Sequence, residues 1–173
     1  IDSSPGTTYT LVNDIPETLV VERVAYPKVG GANPTAKLRT FQVAGGDPQD
    51  VDLSAYTPAD MLIVGAGWFP DSSSVYCYVT NRTQTWVDVL SAPPDGGQTK
   101  TLFRETTKAW GDTPPAPRFL KDGSFLFTSE RTGYKHLFRY GRDGKLLNQV
   151  TQGDWEARSI AEVDEEGKWV YIN

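Results

Sequence analysis

Apolar residues in this chain fall in short runs separated by polar turns, and none of these runs continues long enough to make a helix. Residues 75–79, Val-Tyr-Cys-Tyr-Val, are strand formers throughout. Residues 61–64, an apolar Met-Leu-Ile-Val run stopped by Gly65 and Gly67, fit an inner strand. Residues 37–43 alternate polar and apolar, the period of a strand with one wet face. Further strands are predicted at 7–12, 19–25, 86–90, 99–103, 124–128, 136–140, 146–150, 159–163 and 168–172. The stretches between them carry the Gly, Pro, Asn and Asp that turns require, including Asp95-Gly96, Asp122-Gly123 and Asp143-Gly144.

The pattern also repeats. Arg82-Thr83 recurs 49 residues later as Arg131-Thr132, and Asp95-Gly96 recurs 48 residues later as Asp143-Gly144, with flanking strands in the same order. A period of about 40–50 residues built from about four strands is that of a propeller blade, which cannot bury both faces alone and therefore stacks on its neighbours. The expected fold is all-β: a partial β-propeller of about three and a half four-stranded blades, at residues 7–50, 60–105, 117–151 and, incomplete, 158–173. A β-sandwich is the main alternative. Because a closed propeller needs four to eight blades, the chain reads as an arc cut at both ends from something longer. It begins without Met and with no signal-peptide pattern, and it ends inside a strand.

Composition narrows the function classes. Seventeen basic and 22 acidic residues give a net charge of −5 with no basic stripe, which argues against a nucleic-acid partner. No apolar run approaches the length of a membrane span. Twenty aromatic residues, placed in the strands, argue against disorder. Cys77, the single cysteine, lies among strand formers and reads as a small buried filler.

No motif supplies chemistry. There is no Gly-x-Ser-x-Gly elbow and no ordered phosphate loop. His136 is the only histidine, at a strand start, where a structural role is expected. No residue set reads as a metal or cofactor site. Glu165-Glu166 before Gly167 reads as a solvated turn, and Asn81-Arg82-Thr83 fits a glycosylation triplet by pattern alone. Asp154-Trp155-Glu156 falls at a blade boundary, with Trp155 expected to pack between blades and Glu156 to cap or to pair with a basic residue.

Several of these segments together resemble the propeller of the dipeptidyl peptidase IV family, a group of prolyl oligopeptidase-type serine peptidases. Tyr26-Pro27-Lys28-Val29-Gly30 followed by Asn33-Pro34 is similar to that family's Tyr-Pro-Lys-Ala-Gly…Asn-Pro segment. Trp68-Phe69-Pro70-Asp71 and Asn81-Arg82-Thr83-Gln84 resemble its next blade. The strongest matches are Phe119-Leu120-Lys121-Asp122-Gly123-Ser124, Ser129-Glu130-Arg131-Thr132-Gly133-Tyr134-Lys135-His136-Leu137 and Thr151-Gln152-Gly153-Asp154-Trp155-Glu156. The resemblance runs in order from about residue 9 to residue 173.

The resemblance implies an eight-bladed propeller joined to a C-terminal α/β-hydrolase domain that carries the catalytic serine, aspartate and histidine. It implies a periplasmic or extracellular enzyme that releases N-terminal dipeptides, often Xaa-Pro, and that often dimerises. The paired glutamates that hold the substrate's amine in the family precede the residues present here, so Glu165-Glu166 is not that clamp. The family's segment corresponding to 110–117 approaches the substrate, but Gly111-Asp112-Thr113-Pro114-Pro115 departs from its aromatic and arginine-bearing version. The expected role is therefore non-catalytic: gating access and walling the substrate cavity, with the remaining blades, the hydrolase domain and a peptide as partners, and no cofactor. The alternative is a stand-alone or pseudo-enzyme propeller that serves as a protein-binding scaffold.

Overall fold

The computed structural model describes residues 1–3, 6–26 and 28–173, and every regular element among them is a strand. β1 (Thr8–Asn13) and β2 (Val20–Ala25) form an antiparallel hairpin that joins no other strand. β3 (Arg39–Thr40) and β4 (Gln49–Asp52) pair next. An antiparallel meander follows, made of β5 (Met61–Trp68), β6 (Val75–Asn81), β7 (Trp86–Ala92) and, after the short β8 (Gly97–Gln98), β9 (Lys100–Thr106). β8 leaves this meander to pair in parallel with β4. The next meander comprises β10 (Arg118–Phe119), β11 (Phe125–Ser129), β12 (His136–Tyr140) and β13 (Leu146–Gln149). β14 (Ile160–Asp164) and β15 (Trp169–Ile172) form the last hairpin.

The two meanders confirm the repeat read from the sequence, and they stack face to face. Strand alternation decides which core each side chain enters. In β6, Tyr76 and Tyr78 point toward the second meander and join Phe125, Phe127, Phe138 and Tyr140 in one buried cluster. Cys77 and Val79 point the other way, to Val51, Leu53, Met61 and Leu90. The first meander is thus covered on both faces, which is why all of β6 is buried. Its close packing requires small residues opposite large ones. A side chain on Gly67 would collide with the Tyr76 side chain laid across it, whose hydroxyl oxygen lies at 2.5 Å and nearest ring carbon at 2.6 Å. Between the meanders, a side chain on Gly144, already at φ +85°, would run into the backbone of Leu102.

The first predicted block differs in detail. Residues 7–25 make the separate β1–β2 hairpin, while β3, β4 and β8 make a small three-stranded sheet. Of the alternating run 37–43 only Arg39–Thr40 pairs, and Phe41 and Val43 lie exposed. Alternation alone does not make a strand where the partner, here the four residues of β4, is short.

Candidate functional site: the cleft between the two meanders

The two meanders are tied at both ends of their contact. At one end, Asp71 accepts two hydrogen bonds from the Arg142 guanidinium, at 2.9 and 3.1 Å. It also accepts the Ser73 amide and hydroxyl, at 3.1 and 2.8 Å. These donors hold the Asp71 carboxyl well below the usual range, with Arg142 contributing most. Asp122 ends the corresponding turn of the second meander, and its pKa is lowered first by Ser124 and then, after a smaller opposing desolvation, by Arg139.

At the other end lies a cleft with a cavity of about 140 Å³. Its floor is the Glu105 carboxylate, which pairs with Arg131 of the neighbouring meander and accepts the Ser129 hydroxyl at 2.7 Å. Arg131 also reaches the Tyr140 hydroxyl and lies over the Phe138 ring, its guanidinium carbon 4.4 Å from the centroid. Residues 107–117, which carry the chain from β9 to β10, form a strap along one side of the cavity. The Tyr78 hydroxyl donates to the Pro115 carbonyl at 3.0 Å. The Gly111 amide donates to the Gln84 carbonyl at 2.8 Å, and the Trp110 indole N–H donates to Gln84 Oε1 at 2.7 Å.

The residues singled out from the sequence fall in four places and do not converge on one site. Tyr26, Lys28, Gly30, Asn33 and Pro34 lie in the loop after β2, while Pro27 lies outside the described residues. Lys28 sits over the Tyr9 ring at 4.1 Å, Gly30 adopts φ +82°, and the loop is tied to the first meander by Arg82, which donates to the Gly31 carbonyl at 2.6 Å. Asp122 and Gly123 form the β10–β11 turn at the end away from the cleft. Glu130, Gly133 and Tyr134 form the β11–β12 turn beside it, with Glu130 paired to Lys135 at 3.2 Å.

His136 and Trp155 do meet, edge to face, with ring centroids 5.4 Å apart. The imidazole is only 1% exposed. Its Nε2 lies 2.9 Å from the Gly153 carbonyl, an acceptor only, so Nε2 carries the proton. Nδ1 then accepts from the Thr151 hydroxyl, 3.1 Å away. The histidine thus fastens the 151–153 crossover to β12. Glu156 is exposed and makes no ion pair among the described residues, contrary to the expected pairing. Glu165, by contrast, accepts the Lys121 amide at 2.6 Å and so ties the last hairpin to the second meander.

The remaining candidate chemistry is structural in character. Burial pushes the Cys77 thiol up to about 12, leaving it protonated at neutral pH. Asn81 of the glycosylation-type triplet is buried, its side chain bonded to the Thr83 and Thr85 hydroxyls and to the Thr85 and Trp86 amides. Among the described residues no group of three or more His, Cys, Asp or Glu is placed to hold a metal ion, and no helix is long and apolar enough to cross a membrane.

Sequence reading missed two features. Glu105, at the end of an outer strand, gave no pattern signal. The Gln84–Trp110 clasp joins residues 26 positions apart with no periodic relation.

Four-stranded meanders stacked face to face and linked by crossovers define the chain as part of a β-propeller. Residues 1–172 match the family described as the dipeptidyl peptidase IV (DPP IV) N-terminal region, and the chain belongs to that family. It is 26% identical over 158 residues to a probable dipeptidyl peptidase 4 of Aspergillus flavus, covering 86% of this chain and 20% of the relative. A solved Bacteroides ovatus structure assigned to dipeptidyl aminopeptidase IV superposes with a TM-score of 0.86 at 23% identity, over 99% of this chain and 27% of that one. Porphyromonas gingivalis dipeptidyl peptidase 4 gives 0.79 at 22%, over 94% and 23%. The chain therefore spans between a fifth and about a quarter of the length of the relatives it matches.

Proposed function

We propose that this chain is a non-catalytic part of the propeller of a dipeptidyl peptidase IV-like serine peptidase, where it gates access and walls the cavity in which N-terminal Xaa-Pro-type dipeptides are released. The observation that carries this reading is the family match across residues 1–172. The geometry agrees with a division of labour. Acyl transfer of the serine–histidine type needs a nucleophile beside a free imidazole, and both nitrogens of the single histidine are already engaged by Thr151 and Gly153. Stacked sheets held at both ends by cross-sheet ion pairs make a stiff wall. Chemistry would then come from an α/β-hydrolase domain outside this chain, in an extracellular or periplasmic enzyme.

The test uses the full-length protein and an Xaa-Pro anilide with a free amino terminus, against its acetyl-blocked counterpart. Release from the free form alone is expected. If neither form is cleaved, the peptidase reading falls and the propeller becomes a pseudo-enzyme or binding scaffold.

A further inference from the structure

Three turns of the chain share one design. In turns 93–96, 120–123 and 141–144 the last amide donates to the carbonyl three residues back, at 3.1, 3.0 and 2.9 Å. The third residue is aspartate each time, and the glycine after it is left-handed, at φ +83°, +82° and +85°. Aspartate before glycine is the pair at which the backbone rearranges most readily, because glycine sets no side chain beside the attacking nitrogen. The three turns differ in how the aspartate carboxyl is held. Asp122 accepts the Ser124 amide at 2.9 Å and its hydroxyl, and it pairs with Arg139. These contacts, Ser124 first, lower its pKa and keep it in the ionised form that resists attack at carbon. Asp143 accepts the Lys145 amide at 3.0 Å. Asp95 is exposed and makes no hydrogen bond or ion pair among the described residues. The residue two positions on, which supplies the amide in the other turns, is here Gly97, itself left-handed at φ +95° and paired with Val51 across β8 and β4.

The geometry points to Asp95 as a site of covalent modification: conversion of the Asp95–Gly96 peptide to an isoaspartyl linkage, which is a substrate for an S-adenosylmethionine-dependent carboxyl methyltransferase. This stands apart from the peptidase reading. The Gly96 nitrogen leaves the Pro93 carbonyl and attacks Cγ of the protonated Asp95 carboxyl. The N–Cγ bond forms, the nitrogen gives up its proton, and the carboxyl hydroxyl departs with that proton as water, closing a succinimide. Water then opens the ring at either carbonyl. Opening at Cγ restores aspartate. Opening at the Asp95 main-chain carbonyl carbon breaks the original peptide bond, frees a carboxylate there and leaves Gly96 joined through Cγ. The composition is unchanged, but the main chain is longer by one methylene. That extra length falls directly before β8, whose two residues tie the first meander to β4. Isomerisation therefore disturbs the β4–β8 pairing.

The experiment holds the full-length protein at neutral pH and raised temperature, native in one arm and in concentrated guanidinium chloride in the other, and maps its peptides over time. An isoaspartyl peptide has the mass of its parent, but it separates by chromatography, resists an endopeptidase that cuts before aspartate and takes up a methyl group from S-adenosylmethionine when the methyltransferase is added. In the native arm isoaspartate should accumulate at residue 95 about fivefold faster than at 122 or 143, the factor that one hydrogen bond of ordinary net strength gives. In denaturant the three sites should become comparable. Asp95→Glu, whose imide ring would be one atom larger, should abolish the signal at this turn and leave the other two unchanged. Absence of isoaspartate at 95 in the native arm, or equal amounts at the three sites there, overturns the proposal. A preference for 95 that is just as strong in denaturant also overturns it, since the sequence and not the fold would then be the cause. In the purified isoaspartyl fraction, amide hydrogen exchange across β4 and β8 should be faster than in the parent, and unchanged exchange overturns the effect on their pairing.

Discussion

The two complete meanders bury very different residues on the face that each turns to the preceding sheet. In the first, Val79 faces Asp88 across β6 and β7. In the second, Phe127 faces Phe138 across β11 and β12. Both pairs look toward the preceding sheet. Phe138 is buried against aromatic neighbours and covered by the Arg131 guanidinium. Asp88 is just as buried, but it is held by a bidentate bond from Arg104, at 2.6 and 2.7 Å, and by the Tyr56 hydroxyl at 2.6 Å. On this face the second meander buries an apolar ring, the first a satisfied charge. The repeat fixes where a side chain must be buried and leaves its chemistry to whatever the neighbouring sheet offers. Next to the first meander that neighbour is the loop bearing Tyr56, which also stacks on Trp86.

The comparison makes an ordered prediction about truncation. Phe138→Ala removes a packed ring and should destabilise by about 3–5 kcal/mol. Arg104→Ala strands a buried carboxylate and should cost about 3 kcal/mol or more. Asp88→Ala should cost less, about 1–2 kcal/mol, because the Arg104 side chain is 49% exposed and can return to water. Denaturant unfolding of the full-length variants gives the order. If Asp88→Ala proves as damaging as Arg104→Ala, the charge is not what distinguishes the two blades.

How legible the fold was follows the same division. Strand positions in the meanders could be read because alternation and Asp-Gly turns agree there, as at residues 75–79 and at Asp143-Gly144. β8 could not, since two residues, Gly97 and Gln98, pair with β4 inside what reads as a turn. Nor could the burial of the β1–β2 hairpin. Val20, Val21 and Leu11 look like core residues by type, yet all are more than half exposed, in a hairpin with which no other strand pairs among the described residues. The structural part played by His136 was legible from its isolation in the sequence. The cleft was not, because Glu105, Arg131 and Gln84 come together only when two blades stack.

The corresponding β-turns offer a finer contrast. Asp71-Ser72-Ser73 and Asp122-Gly123-Ser124 have the same capping geometry, aspartate to the serine two residues on, and both need a left-handed middle residue. The second turn has glycine at φ +82°, while the first forces Ser72 to φ +56°. Ser72→Gly should therefore stabilise the protein by about 0.5–1 kcal/mol, and Gly123→Ala should destabilise it by about 1 kcal/mol. Opposite signs in thermal melts are the expected outcome. A loss of stability for Ser72→Gly would mean that the Ser72 side chain contributes something beyond its strained backbone.

Those turns also separate in acid. Asp71 and Asp122 both have carboxyl groups with lowered pKa in the folded protein, Asp71 chiefly through Arg142 and Asp122 chiefly through Ser124. A depressed folded pKa means that the stabilisation is present above the unfolded value of about 4 and is lost as pH falls through the folded one. Stability should decline below about pH 4, with both groups contributing. The partners differ in location: Arg142 belongs to the next meander, whereas Arg139 and Ser124 belong to the same meander as Asp122. Protonating Asp71 therefore loosens the contact between sheets, while protonating Asp122 loosens a turn. Melts of Asp71→Asn and Asp122→Asn over that pH range should both be shallower than wild type, Asp71→Asn the more so. Both exposed pairs are open to screening, so about 1 M salt should shrink the difference. A steeper acid dependence retained in Asp71→Asn than in Asp122→Asn would reverse the assignment and make the turn, rather than the contact between blades, the acid-sensitive element.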